Sequence, residues 1–72
     1  MMYKSIKHLS EITDICAPEV RRKISMMKQS GIYPMTAFLT NPIRVDYDAF
    51  IHFNTYQKLM EDGKPFPAWK TT

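Results

Sequence analysis

The sequence has little of what disulfide-bonded, metal-binding or membrane-spanning proteins require. It contains one cysteine, Cys16, so no disulfide can form within the chain, and no cluster of Cys and His has metal-ligand spacing. No apolar run is long enough to cross a bilayer or to serve as a signal sequence. These absences predict a protein of a reducing cytoplasm that binds no metal ion and no membrane.

An excess of charge of one sign is also lacking. Ten Lys and Arg side chains against seven Asp and Glu give a net charge of +3, which is compatible with a nucleic-acid partner but does not require one. The length of 72 residues allows one small domain, and four Tyr, four Phe, one Trp and six Met supply bulk for its core. We therefore expect residues 1–72 to form a single domain, with 63–72 as an aromatic C-terminal tail.

Catalytic signatures are absent from the sequence as well. His8 and His52 fall on different predicted helices, and neither has a carboxylate at the spacing of an acid–base pair or a metal site. There is no glycine-rich phosphate loop, and the chain is too short to enclose a substrate. The sequence predicts that the protein is not an enzyme and uses no cofactor.

The stretch from Ala17 to Gly31 carries the strongest helix signals. Pro18 suits the first turn of a helix, where its missing N–H has no partner in any case, and Gly31 suits the left-handed position just past the end. Val20, Ile24 and Met27 recur at helical spacing and predict one buried stripe. The opposite face carries Arg22, Ser25 and Gln29, with Arg21 on its flank and Lys28 on its margin. Long donors on a rigid helix are what the reading of a DNA groove requires, and they are also typical of any solvated helix face.

A first helix is predicted from Ser5 to Thr13, with Ser5 as its N-cap. Its apolar positions recur at helical spacing and are Ile6, Leu9 and Ile12. The turn from Asp14 to Cys16 then connects the two helices. We expect Ile15 to fill the gap between the helices and Cys16 to be a small buried turn residue.

After Gly31 the pattern changes to that of a hairpin. Residues 36–39 and 43–45 are rich in strand formers, and the Asn41-Pro42 pair between them predicts a tip near Asn41. Arg44 falls on the face opposite to its neighbours. The residues before Ser5 carry no strong signal, so the sequence predicts a two-stranded hairpin and no third strand.

A third helix is predicted from Tyr47 to about Asp62, capped by Asp46 and ended by Gly63. It has two apolar stripes. Tyr47, Phe50, Ile51 and the stem of Lys58 are expected to face the core, and a second stripe consists of Ala49, Phe53, Tyr56 and Met60. Either Phe66 and Trp69 of the tail fold back over this second stripe, which we favour, or the stripe is a self-association surface.

These residues together resemble the small winged helix-turn-helix proteins of the excisionase and MerR-like group, which are common in phages and integrative elements. The resemblance runs from about Ser5 to about Phe53. It rests on the order of an apolar-small pair at Leu9-Ser10, a turn ending in Ile15-Cys16, the cluster Val20-Arg21-Arg22, and then Gly31, Pro34, Arg44 and Asp46. The chain departs from the family at Asp14, where glycine is frequent, at Cys16, where serine is usual, and at the tip, which has Asn41-Pro42 in place of a glycine pair.

The resemblance implies a mostly helical α+β fold, a winged helix-turn-helix with a hairpin wing, a third helix and a C-terminal tail. It also implies sequence-specific binding of double-stranded DNA in the cytoplasm of a bacterial host, with helix 2 in the major groove. The implied DNA-binding residues are Arg21, Arg22, Ser25, Lys28 and Gln29 on helix 2, and Asn41 and Arg44 on the wing.

Three functions remain open at this point. An excisionase binds beside an attachment site, bends the DNA and assists an integrase, and a phage transcriptional regulator on the same fold has the same sequence features. A protein–protein interaction module is the third alternative, with Phe53, Tyr56, Met60 and Trp69 as the contact residues.

Overall fold

A computed structural model describes residues 2–69 and shows a small α+β domain of three α-helices and a three-stranded antiparallel sheet. Met1 and residues 70–72 of the predicted tail lie outside the described residues. In chain order the elements are β1 (Tyr3–Ser5), α1 (Ile6–Thr13), α2 (Ala17–Ser30), a single 3₁₀ turn (Met35–Ala37), β2 (Phe38–Thr40), β3 (Ile43–Asp46) and α3 (Tyr47–Glu61). Within residues 2–69 no helix is long and apolar enough to cross a membrane.

The predicted ends of α1 and α2 are confirmed. The Ser5 Oγ accepts a hydrogen bond from the backbone N–H of His8 at 3.2 Å, which caps α1. Pro18 lies in the first turn of α2, and Gly31 ends this helix with a φ of 71°. Glycine adopts this left-handed conformation without the steric cost that a Cβ atom imposes.

The sheet has one strand more than the sequence predicted. β3 lies in the centre, with β1 and β2 antiparallel on either side of it, and Ser5 is opposite Arg44 on one side while Leu39 is opposite Arg44 on the other. The prediction missed β1 because three residues are too few to show an alternating pattern. The first hairpin strand also begins later than predicted, at Phe38, because the preceding residues form the 3₁₀ turn.

The core lies between the sheet and the three helices. The predicted stripe of α2 is confirmed, since Val20, Ile24 and Met27 are all buried. Leu9 of α1 is buried beside them, whereas Ile12, which the sequence predicted to belong to the same stripe, is exposed. Ile15, which was predicted to fill the gap between α1 and α2, packs against the core and is half-buried.

The prediction that the apolar residues of α3 form two separate stripes is wrong. The buried residues of α3 are Ala49, Phe50 and Phe53, which combine members of both stripes, and Lys58 is exposed. The helix contacts α2 and β3 together, so the buried sector is centred between the two predicted stripes. Phe53 is only 3% exposed. It is therefore not available to the predicted self-association surface or to the contact residues of an interaction module.

The tail folds back onto α3, as the favoured prediction stated, but it meets the helix at His52, which belongs to neither predicted stripe. The ring of Trp69 lies 5.4 Å from that of His52 and 5.7 Å from that of Tyr33, between centroids. The Phe66 ring is 6.3 Å from His52. The carbonyl of Pro67 is 2.7 Å from the His52 Nε2, which donates to it because a carbonyl oxygen only accepts. The tail thus packs on His52 and Tyr33 within the same molecule.

Candidate nucleic-acid interface

The turn between α1 and α2 sets the direction of α2. Asp14 adopts a left-handed backbone conformation with a φ of 59°, which Asp tolerates better than most residues with a Cβ. The Ser10 hydroxyl donates to the carbonyl of Ile15 at 2.5 Å, and the Val20 N–H donates to the carbonyl of Cys16 at 3.0 Å. These bonds tie the turn to both helices, so the outer face of α2 has a defined orientation.

Cys16 differs from its prediction. We expected a buried turn residue, but Cys16 is exposed. It occupies the N-cap position with an extended backbone, and its side chain makes no capping hydrogen bond. Ile15 beside it is half-buried and packs against the core in its place.

All five predicted DNA-binding residues of α2 are exposed. They divide between two parts of the outer face because successive residues turn by about 100° around a helix. Arg22 and Gln29 lie on the crest opposite the buried stripe. Arg21, Ser25 and Lys28 lie on the flank that faces the hairpin.

This flank forms one wall of a groove between α2 and the hairpin. The groove is lined by Ile6, Arg21, Ile24, Ser25, Lys28 and Ile43. Ile43 and Ile6 were not predicted as site residues. For Ile43 a signal was present, since it is two residues from the buried Val45 and side chains two apart on a strand share a face. The place of Ile6 depends on the pairing of β1, which the sequence did not reveal.

The Lys28 side chain reaches across the groove toward the sheet. Its Nζ lies 5.6 Å from the centroid of the Phe38 ring, which is a cation–π distance. This contact leaves the ammonium group at the groove and limits the positions it samples.

On the crest, the Arg22 Nη1 lies 3.3 Å from the Glu19 Oε1 in a solvent-exposed ion pair. Such a pair contributes little free energy, so Arg22 can exchange Glu19 for another anion.

The opposite flank of α2 packs on α3 and is not part of the exposed outer face. There the Lys23 Nζ donates to the Gln57 Oε1, and the Gln57 Nε2 donates to Glu61 at 2.9 Å. Lys23 is half-buried, in contrast to the exposed cations on the groove side.

The two predicted wing residues are separated from one another. Asn41 is exposed at the hairpin tip. Arg44 is exposed on the outer face of the sheet, opposite Leu39, whereas the neighbouring pair of Phe38 and Val45 points into the core. The structure therefore brings Arg21, Ser25 and Lys28 together at one groove but does not bring Arg44 to it.

Two buried titratable groups lie away from α2. Asp46 is 4% exposed, and its Oδ1 has no hydrogen-bond partner among the described residues. Burial raises the pKa of this carboxyl, and the negative charge of Asp48 raises it further. A hydrogen bond from the Ala49 N–H lowers the pKa and so opposes the shift. Burial also raises the pKa of Tyr33, whose hydroxyl is 2.8 Å from the His52 Nδ1.

Among residues 2–69 no three His, Cys, Asp or Glu side chains come together in an arrangement that holds a metal ion. Comparisons of the chain with protein-family models, with curated proteins and with solved structures find no match.

Proposed function

We propose that this protein is a winged helix-turn-helix protein that binds double-stranded DNA sequence-specifically, with α2 in the major groove and the β2–β3 hairpin as the wing. The observation that carries the proposal is the exposed outer face of α2. Arg21, Arg22 and Gln29 stand in solvent there, while the other side of the same helix is locked into the core. Arg and Gln are the side chains that make bidentate hydrogen bonds to guanine and adenine in the major groove.

The arrangement favours DNA over a protein partner. The contact surface of an interaction module is enriched in aromatic side chains and Met, and the candidates for such a surface here were Phe53, Tyr56, Met60 and Trp69. Phe53 is buried, and Tyr56, Met60 and Trp69 are half-buried. The exposed face of α2 instead carries three cations and a single acidic residue in its first turn, Glu19, which is the pairing partner of Arg22. A surface of this charge attracts a polyanion.

The more specific proposal is that the protein is an excisionase, which binds beside an attachment site, bends the DNA and assists an integrase. The resemblance in the order of its elements supports this function. A phage transcriptional regulator is the competing function. Two observations together separate these functions. A circular-permutation gel shift on the bound site tests for bending, because an excisionase bends its DNA. A search of the genomic neighbourhood tests for an adjacent integrase gene, which is expected beside the gene of an excisionase.

Salt dependence tests the binding proposal directly. Duplexes are selected from random sequence, and their affinity is then measured at about 50 mM and about 200 mM salt. Three or four neutralised phosphates predict a loss of about 100-fold over that range. The double variant Arg21→Ala, Arg22→Ala is expected to lose most of the remaining affinity. The absence of any duplex binding at low salt would contradict the proposal and favour the interaction module.

A further inference from the structure

The tail contacts the domain through a small number of its groups. Residues 64–69 form no helix or strand, and the rings of Phe66 and Trp69 both lie against that of His52. Between these two rings the Pro67 carbonyl accepts from His52, while Pro67 itself is exposed. The contacts are thus made by two aromatic side chains three residues apart and by one backbone carbonyl.

This arrangement is typical of a proline-rich ligand. A polyproline II helix has three residues per turn, so side chains three apart lie on one side of it, and its carbonyl groups make no internal hydrogen bonds. Pro65 and Pro67 fix their own φ and restrict the residues before them, Lys64 and Phe66, to extended conformations. Domains that recognise such segments present grooves lined by aromatic rings.

The surface beneath the tail has the complementary chemistry. It consists of Tyr33, His52 and Tyr56, and we call it the aromatic surface. The His52 ring lies 5.6 Å from that of Tyr33 and 5.0 Å from that of Tyr56, between centroids. In the neutral imidazole the Tyr33 hydroxyl donates to the His52 Nδ1 at 2.8 Å, which leaves the proton on Nε2 for the carbonyl of Pro67. The hydrogen bond from Tyr33 therefore orients the donor that binds the segment above it.

The tail does not satisfy this site completely. The Trp69 Nε1 is buried and has no hydrogen-bond partner among the described residues. A buried donor without an acceptor opposes docking, because it has left water and gained no other partner. The tail is therefore held less firmly than its ring contacts alone would hold it. A segment with an acceptor at this place, or with no N–H there, avoids the loss.

We propose that the aromatic surface is a docking site for an extended segment of a partner protein, and that the tail is the internal competitor of this segment. The partner segment carries prolines and two aromatic side chains three residues apart. The occupant in the structure carries the proposal, because the tail displays the chemistry that the surface accepts. This function goes beyond the proposed DNA binding, since none of the three residues of the aromatic surface lies on α2.

The first test uses the unmodified full chain and an end-blocked peptide of residues 64–69 with Trp69→Phe. Trp69 is the one tryptophan of the chain, so its emission reports on the tail alone. Displacement of the tail should shift this emission to longer wavelength, with half-saturation at about 1 mM or above, because the tether gives the tail an effective concentration in this range. The helical circular dichroism should not change, because the peptide replaces the contacts of the tail.

The matched control is a peptide of the same composition in which the two phenylalanines are adjacent. It should bind at least about tenfold more weakly, because its rings no longer lie on one side of a polyproline II helix. If neither peptide shifts the emission at about 10 mM, or if both shift it equally, the surface selects no such segment and the proposal is wrong.

The second test removes the internal competitor. Trp69→Ala takes away one ring of the tail, so a fluorescently labelled peptide should bind this variant at least about tenfold more tightly than the unmodified protein, as measured by anisotropy. In the Trp69→Ala chain, His52→Phe keeps a ring and loses the donor, and it should weaken binding of the peptide about fivefold. His8→Phe in the same chain is the control, because His8 is exposed on α1, and it should leave the affinity unchanged.

Two results would overturn the proposal in this second test. Equal affinity of the peptide for Trp69→Ala and for the unmodified protein would show that the tail does not compete with it. A dimer of the unmodified protein in size-exclusion chromatography that the peptide dissociates would show that the occupant is the tail of a second copy. Neither result depends on whether the protein binds DNA.

Discussion

At the scale of the residue, Asp46 combines two roles that conflict. It ends β3 and precedes the first turn of α3, where a carboxylate is favoured by the helix dipole. Its side chain is nevertheless buried close to Asp48, and these surroundings raise the pKa of the Asp46 carboxyl above the ordinary value of 3.8. Ionisation is therefore harder in the folded protein than in the unfolded chain.

The pKa shift predicts the sign of the pH dependence. A group whose pKa is raised on folding contributes stability that is fully present below its unfolded pKa and is lost as the pH rises through its folded pKa. Asp46→Asn removes the ionisation and keeps a residue type suited to the cap. We expect the variant to be more stable than the unmodified protein at about pH 7, with the difference vanishing below pH 3.8.

Urea unfolding at a series of pH values measures this difference in the free energy of unfolding. Asp48→Asn serves as the control. It removes only the neighbouring charge that adds to the shift, so its gain at neutral pH should be smaller. A difference between Asp46→Asn and the unmodified protein that does not change with pH would contradict the assignment.

At the scale of the element, the ends of α2 were readable from the sequence because they depend on local interactions. Pro18 and Gly31 mark the ends, and the buried stripe between them has helical spacing. The turn before α2 was predicted in position but not in detail. Asp14 takes the left-handed conformation that glycine favours, which the sequence around it did not indicate.

The end of α2 gives a prediction of stability. A Cβ atom added at Gly31 meets nothing within 4 Å, so the cost of Gly31→Ala is the backbone cost of a positive φ alone. We expect a loss of about 1 kcal/mol in the free energy of unfolding and a fall of about 4–8 °C in Tm. Gly31→Asn should lose less, because Asn tolerates the left-handed region. Equal losses for the two variants in thermal unfolding would show that the backbone conformation is not the cause.

At the scale of the whole molecule, the tail completes the core. Trp69 packs against Tyr33 and His52, which hydrogen bond to each other, and the Pro67 carbonyl accepts from His52. Three segments that are distant in the sequence thus meet at one place.

We expect Trp69→Ala to lower the free energy of unfolding by about 2 kcal/mol, less than for a fully buried Trp because Trp69 is half-buried. Chemical denaturation of the variant measures this loss. Met35→Ala is the control, since Met35 is 78% exposed and its removal should change stability by less than about 0.5 kcal/mol.

Trp69 is the one tryptophan of the chain, so its fluorescence reports on the tail. Its unfolding transition should coincide with the loss of helical circular dichroism. Separate transitions would show that the tail is not part of the cooperative unit.

The sequence by itself determined the three helices, the hairpin near Asn41 and the exposed face of α2. Each of these depends on caps, turn residues or apolar spacing within a few neighbouring positions. Only the tertiary structure decided the rest: β1 against β3, the burial of Phe53, the docking of the tail and the groove beneath Ile43. These features arise from contacts between segments far apart in the chain, and no short pattern of residue types encodes which distant segment a surface will meet.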